Sequence, residues 1–265
     1  MAMLTAYLDE SYNQPTKKEP NPTLVYTVAC WLSTVEKWSR FGKQWKAELR
    51  NKGLDDFHMN RFENRIGEYE GWSDTERHAF LRRLKQIIKA NTVYGVGVAV
   101  NCKDYDELMS RSPEIKKKWG KTYYGFDVRI ILWYLGGWAD EQKYDGKIHY
   151  VFAKLGKQGG DLDGIFEECL NNKIVRERFR LSTSWTHALM KHEVRLQAAD
   201  FIAYELNKRC VNEVSAKRRY VRTSLDMFQL SRDRFAPLYF GKKELNQLFD
   251  ALPEGCRDLE TGNKE

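Results

Sequence analysis

The segment from His192 to Lys208, "HEVRLQAADFIAYELNK", restricts the fold more than any other part of the chain. Its spacing predicts a helix over about 193–208, with Val194, Leu196, Ala198, Ala199, Phe201, Ile202, Ala203 and Leu206 covering most of the circumference. A helix that is apolar on several sides has to be enclosed, so other layers must pack round it. Only Glu193, Gln197, Asp200 and Tyr204, three or four residues apart, form a polar stripe. Asp200 is the least expected member, because burying a lone carboxylate costs roughly several kcal/mol unless something compensates it. A partner such as Arg195, a backbone amine or a metal could do so. The small Ala198 and Ala199 allow close approach to a sheet, which brings Asp200 near a strand end.

Strands are readable upstream. Residues 3–9 and 24–33 ("LVYTVACWLS") form an expected antiparallel pair joined by the polar, proline-rich "NQPTKKEPNP". Trp38, Phe41, Trp45 and Leu49 then recur at helical spacing up to Gly53. The stretch 54–73 is polar and irregular, and Ser73 with Glu76 reads as a capping box for a helix to about Ala90. "TVYGVGVAVN" is a strand whose glycines imply close backbone approach or a bulge. Helices at about 104–110 and 121–140, a strand at 147–155, a helix at 161–172 and a strand at 178–185 precede the enclosed helix. The pattern weakens beyond 210. Strands paired first and then alternating with helices imply one α/β domain over 1–252, with a mixed sheet flanked by helices and a flexible tail at 253–265.

"TAYLDES" places Asp9 and Glu10 at the end of the first strand. Neighbours on a strand point to opposite faces, so both can serve one site only if the strand ends or kinks there. Paired Mg²⁺ or Mn²⁺ sites for phosphoryl chemistry use a few carboxylates with water and substrate phosphate. An acid expected from the central strand is missing, because Ala153 occupies its position in "YVFAKLGKQGGDLDG"; Asp161 and Asp163 read as helix N-terminal residues.

A formal charge of +7 and a pI near 9.0 favour an anionic partner. Lys208, Arg209, Lys217, Arg218, Arg219 and Arg222 form one basic run, and Lys116, Lys117, Lys118 and Lys121 surround Trp119 ahead of Tyr123 and Tyr124. Such mixtures suit nucleic acid, with cations on phosphates and rings on bases. Cys30, Cys102, Cys169, Cys210 and Cys256 are scattered and form no CxxC pair, which argues against a disulfide framework or a structural zinc site. The absence of a long apolar run or a signal-like N-terminus gives the expectation of a cytoplasmic protein that spans no membrane.

"YLDES", "FHMNRFENRIGEYEGWS", the "YVF" strand with its glycine turn and "RLQAADFIAYE" together resemble the DUF3800 family, over nearly the whole chain. That resemblance implies a ribonuclease H-like fold with helical insertions around 54–90 and 104–140, and a metal-dependent nuclease. It implies Asp9, Glu10 and Asp200 as Mg²⁺ or Mn²⁺ ligands, and His58 at a position where the family carries a histidine. The family strand usually continues "VFE", so Ala153 stands for a missing glutamate, lost naturally or exchanged to trap a substrate; the retention of the other acids favours the exchange. Lys154, Lys157 and the run from Lys208 are expected to position the nucleic-acid backbone. The alternative is a non-catalytic nucleic-acid-binding protein of the same fold. A nucleotide phosphoesterase is disfavoured by the lack of a GxxxxGK[ST] loop.

Overall fold

The computed structural model describes residues 3–13, 22–111, 121–154, 159–214 and 234–250. The chain opens with β1 (Leu4–Tyr12) and β2 (Val25–Thr34), then α1 (Val35–Asn51), a short α2 (Met59–Glu63) and α3 (Asp74–Asn91). Next come β3 (Tyr94–Asn101), α4 (Cys102–Arg111), α5 (Tyr123–Glu141), β4 (Ile148–Ala153), α6 (Gly159–Asn171) and α7 (Lys173–Arg178). The last described elements are β5 (Leu181–Ala188), α8 (Leu196–Val214), β6 (Phe235–Phe240) and α9 (Lys242–Asp250). The strands form one mixed sheet in the order β5-β4-β1-β2-β3-β6. β1 and β2 pair antiparallel, as do β2 and β3, whereas β4 runs parallel to β1, β5 to β4 and β6 to β3.

Period-two alternation sorts the sheet residues into two apolar faces. Leu4, Ala6, Leu8, Val28, Cys30, Val96, Val98, Tyr150 and Phe152 pack beneath α4, α5, α6 and α9. Tyr7, Ala29, Trp31 and Val151 face the other way, toward α1, α3 and α8. The enclosed helix α8 lies against β1, β2 and β3, close enough for Trp31 Nε1–H to donate to the carbonyl of Ala198 at 3.2 Å.

The two glycines of β3 make this approach possible. A Cβ on Gly95 would stand 2.5 Å from the Trp31 ring, and one on Gly97 would stand 2.5 Å from Leu206 Cδ2 of α8. The ring cannot yield, whereas the leucine end can rotate. Gly95→Ala is therefore expected to cost about 2–3 kcal/mol in urea unfolding and Gly97→Ala less than about 1; equal costs would contradict this account.

Several boundaries differ from the sequence expectation, each for a local reason. β1 does not stop at Asp9 but remains paired with β2 through Tyr12↔Tyr26. The strand expected at 178–185 lies three residues later because α7, capped by the Asn172 side chain on Val175 N–H, occupies the preceding stretch. α8 starts at Leu196, not 193, since the N–H groups of His192 and Glu193 both donate to the Leu189 carbonyl in a tight turn. It then runs past 208 to Val214. The "irregular" 54–73 stretch holds α2 and a single 3₁₀ turn, Gly67–Tyr69, while the capping box at Ser73 and Glu76 forms as read. β6 and α9 fall where the pattern was too weak to assign. Residues 253–265, including Cys256, lie outside the described residues. Among the described residues, no helix is long and apolar enough to cross a membrane.

Candidate functional site

β1 pairs with β4 through Leu8↔Phe152, so the next residues, Asp9 and Ala153, stand side by side toward the carboxyl ends of adjacent parallel strands. Asp9 shares its face with Ala29 and points toward α8, while Glu10 is paired with Val28 on the opposite side. The strand neither ends nor kinks there. Neighbouring positions on a paired strand point to opposite faces, so the two carboxyl groups start out on different sides of the sheet. Asp9 Oδ1 accepts the Glu10 N–H at 2.9 Å.

Burial raises the pKa of Asp9 well above the usual carboxylate range, and the charges of Glu10 and Asp200 raise it further. Glu10 is raised mainly by burial, and its Oε2 is enclosed without a hydrogen-bond partner. Asp200, on α8, is raised by burial as well, against the opposing pull of His58, of the Met59 N–H and of Arg61. The three acids thus feel one another across the junction of β1 and α8. They do not converge: among the described residues, no group of three or more His, Cys, Asp or Glu side chains is arranged to hold a metal ion.

Asp200 is compensated locally. The Met59 N–H donates to its Oδ2 at 2.6 Å, and His58 Nδ1 lies 3.6 Å from its Oδ1, too far for a hydrogen bond. Arg195, the partner considered from sequence, instead pairs with Glu193 at 2.7 Å and donates to the Trp38 carbonyl. Gln197, one turn earlier on the same stripe, accepts from Trp45 Nε1–H at 2.7 Å and from Phe57 N–H at 3.1 Å. The polar stripe of α8 therefore fastens the 57–59 segment onto the fold, a role of Gln197 that the sequence reading did not assign. Its signal was present: an amide at the centre of an apolar helix needs partners. His58 caps α2 through Nδ1, which accepts the Asn60 N–H at 3.3 Å, and its side chain is 42% exposed. Arg61 pairs with Asp56 and Glu68 beside it.

The expected nucleic-acid contacts divide. Lys154 is exposed just after β4. Lys208 lies over the Tyr204 ring at 5.3 Å, and Arg209 pairs with Glu213 at 2.8 Å. Lys157, Lys217, Arg218, Arg219 and Arg222 lie outside the described residues, as do Trp119 and the Lys116–118 cluster. Asp163 does not idle at a helix start: one of its oxygens accepts from Trp185 Nε1–H at 2.8 Å and bonds His187 Nε2 at 3.1 Å. Those contacts hold its carboxyl below the usual range and tie α6 to β5.

One further acid escaped the sequence reading. Asp127 of α5 is fully buried, with neither carboxylate oxygen hydrogen-bonded. Burial raises its pKa well above 3.8, and the nearby Val28 N–H offsets this only weakly without reaching full hydrogen-bond geometry. A folded-state pKa above the unfolded value means stability that is present below about pH 4 and lost as pH rises toward the folded pKa. The wild-type chain is therefore expected to lose stability between pH 4 and pH 8 relative to Asp127→Asn, by about 1–3 kcal/mol in urea titrations. Parallel pH curves would show that Asp127 titrates alike in the folded and unfolded chain, and so that its burial is compensated.

No family model matches this chain and no curated protein matches it, so a functional reading has to rest on the acids at the β1–β4–α8 junction.

Proposed function

We propose that the chain is a divalent-metal-dependent nuclease of ribonuclease H-like fold, similar to DUF3800 proteins, with one carboxylate missing at Ala153. The observation that carries this reading is the placement of buried Asp9 at the carboxyl end of β1, beside Ala153 of β4 and on the face covered by α8, which carries the buried Asp200. The strand order supports the fold: an antiparallel β1-β2-β3 meander continued through β4 and β5, both parallel to β1, with β6 added at the far edge.

The donor set suits Mg²⁺ or Mn²⁺, hard cations that prefer carboxylate oxygens. Glu10 Oε2 is a buried acceptor without a donor among the described residues, and Asp9 is buried beside the charges of Glu10 and Asp200. Asp9, Glu10 and Asp200 would hold the cation. When bound, it supplies Lewis acidity toward a phosphoryl oxygen and makes water a better nucleophile at neutral pH. The chain's own groups do the rest. Because Nδ1 of His58 accepts from Asn60, the neutral ring carries its proton on Nε2, where it can donate to a phosphate oxygen. Lys154, exposed one residue beyond Ala153, supplies positive charge for the polymer backbone.

A second reading, nucleic-acid binding without cleavage, is favoured by one observation: Asp200 already spends an oxygen on the Met59 N–H, and no three-ligand group is preformed among the described residues. The deciding test is hydrolysis of end-labelled RNA and DNA pools in Mn²⁺ or Mg²⁺. It compares the chain as it stands, Ala153→Glu, and Ala153→Glu with Asp9→Asn. Metal-dependent products from Ala153→Glu alone support the nuclease; three silent proteins that still bind nucleic acid in EDTA favour the binding protein.

A further inference from the structure

We propose that the exposed side of β5, with the adjoining start of β4, is the track along which a single-stranded nucleic acid approaches the acidic site. The inference rests on the nuclease-type reading and adds where the polymer lies.

α8 covers β1, β2 and β3 on the side that carries Asp9. On that same side Thr186 stands opposite Val151, and Ala188 opposite Ala153; Val151 and Ala153 are buried in the core, and the face opens toward the β5 edge. Ser184 and Thr186 are exposed there, and His149 is half-buried with its Nε2 3.1 Å from Thr186 Oγ1. Hydroxyls and an imidazole on a flat, open surface are donors for phosphate oxygens rather than core.

Charge fits the same occupant. Lys147 precedes β4, Lys154 follows it, and Lys191 lies in the turn between β5 and α8; all three are exposed. Among the described residues none of the three forms an ion pair. Against them stand the exposed Asp145, two residues before Lys147, and Glu193, which Arg195 already holds. Lys147 and Lys154 are separated by the length of β4, about 23 Å at strand rise, enough for a few nucleotides. By contrast Lys208 and Arg209, the basic pair expected from sequence, are engaged with Tyr204 and Glu213. β5 is also an outermost strand, so a second copy of the chain is the competing occupant.

The test measures fluorescence anisotropy of labelled 12-mer oligouridylate and oligothymidylate with the full chain in EDTA, across a salt series. Lys154→Glu with Lys191→Glu is expected to weaken binding at least ~10-fold at low salt and to reduce the log–log salt slope by about 1.4. Thr186→Glu weakens it too, while Lys243→Glu, on α9 at the opposite edge, leaves it unchanged. Unaltered binding by the β4–β5 variants overturns the track; if Ala153→Glu still cleaves, the nuclease reading survives that result. Absence of binding in every protein together with absence of cleavage removes both. A dimer by light scattering that dissociates in Thr186→Glu without change in nucleic-acid affinity assigns the face to a second copy and overturns the proposal.

Discussion

Ala153→Glu is expected to raise metal-dependent phosphodiester cleavage by at least ~10³-fold over the chain as it stands, equivalent to about 4 kcal/mol of barrier. The register makes this position special. Residue 153 continues the face of Val151, lies next to Asp9 across the β1–β4 pair, and sits at the strand end, where a longer side chain can reach past the sheet. The same substitution has an opposite effect without metal. A fourth carboxylate beside three acids already disfavoured by burial and by one another adds repulsion, for an expected loss of about 2 kcal/mol, or about 4–8 °C in Tm. Mn²⁺ should return that loss in differential scanning fluorimetry, and Asp9→Asn should abolish the return. An Ala153→Glu protein whose Tm and cleavage are both indifferent to metal would leave the acids without a shared ligand.

The largest effect on stability is expected from Gln197→Ala. Its Oε1 is the acceptor for both Trp45 Nε1–H and Phe57 N–H, and Trp45 is fully buried. Removing the amide strands two buried donors at about 1–3 kcal/mol each, before any cavity is counted. A total of about 3–5 kcal/mol, or roughly 10 °C in Tm, follows. The damage has a local signature as well, because the 57–59 segment would lose the Phe57 N–H bond to α8 and keep the Met59–Asp200 one. Trypsin should then cut faster at Arg61 and Arg65 under native conditions. A loss below about 1 kcal/mol, with unchanged proteolysis, would mean that aromatic packing of Phe57 against Trp45 and Phe201 holds the segment by itself.

What could be read from the sequence was what depends on near neighbours. Ser73 and Glu76 are three residues apart and cap a helix whatever surrounds them. Gly95 and Gly97 announced close approach, and the Trp31 ring and Leu206 supply it. Asp9 and Asp200 stood out because each is set against an apolar pattern, and both are buried. The rest depended on partners that spacing cannot reveal. Nothing near Asp200 in sequence predicts the Met59 N–H, and Arg195, its obvious neighbour, turned to Glu193. The end of β1 was misplaced because the polarity of Asp9 and Glu10 resembles a strand terminus, although pairing with β2 persists for three more residues. Asp127 lies within an ordinary helix pattern, and only its enclosure in the core makes it a stranded acid.

The bonds that join α8 to the first quarter of the chain also constrain how the molecule is born. Trp31 to Ala198, Trp45 to Gln197 and Met59 to Asp200 span 167, 152 and 141 residues. β1, at the middle of the sheet, waits for β4 on one flank and for α8 above it. On the ribosome, the amino-terminal strands and α1 therefore emerge long before the segment that buries them, with Trp31, Trp38, Phe41 and Trp45 exposed in the interval. At about 5–20 residues per second, that exposure lasts on the order of ten seconds or more. Closure through contacts so distant in sequence is intrinsically slow, so the nascent chain is a natural client for chaperones that hold aromatic segments apart.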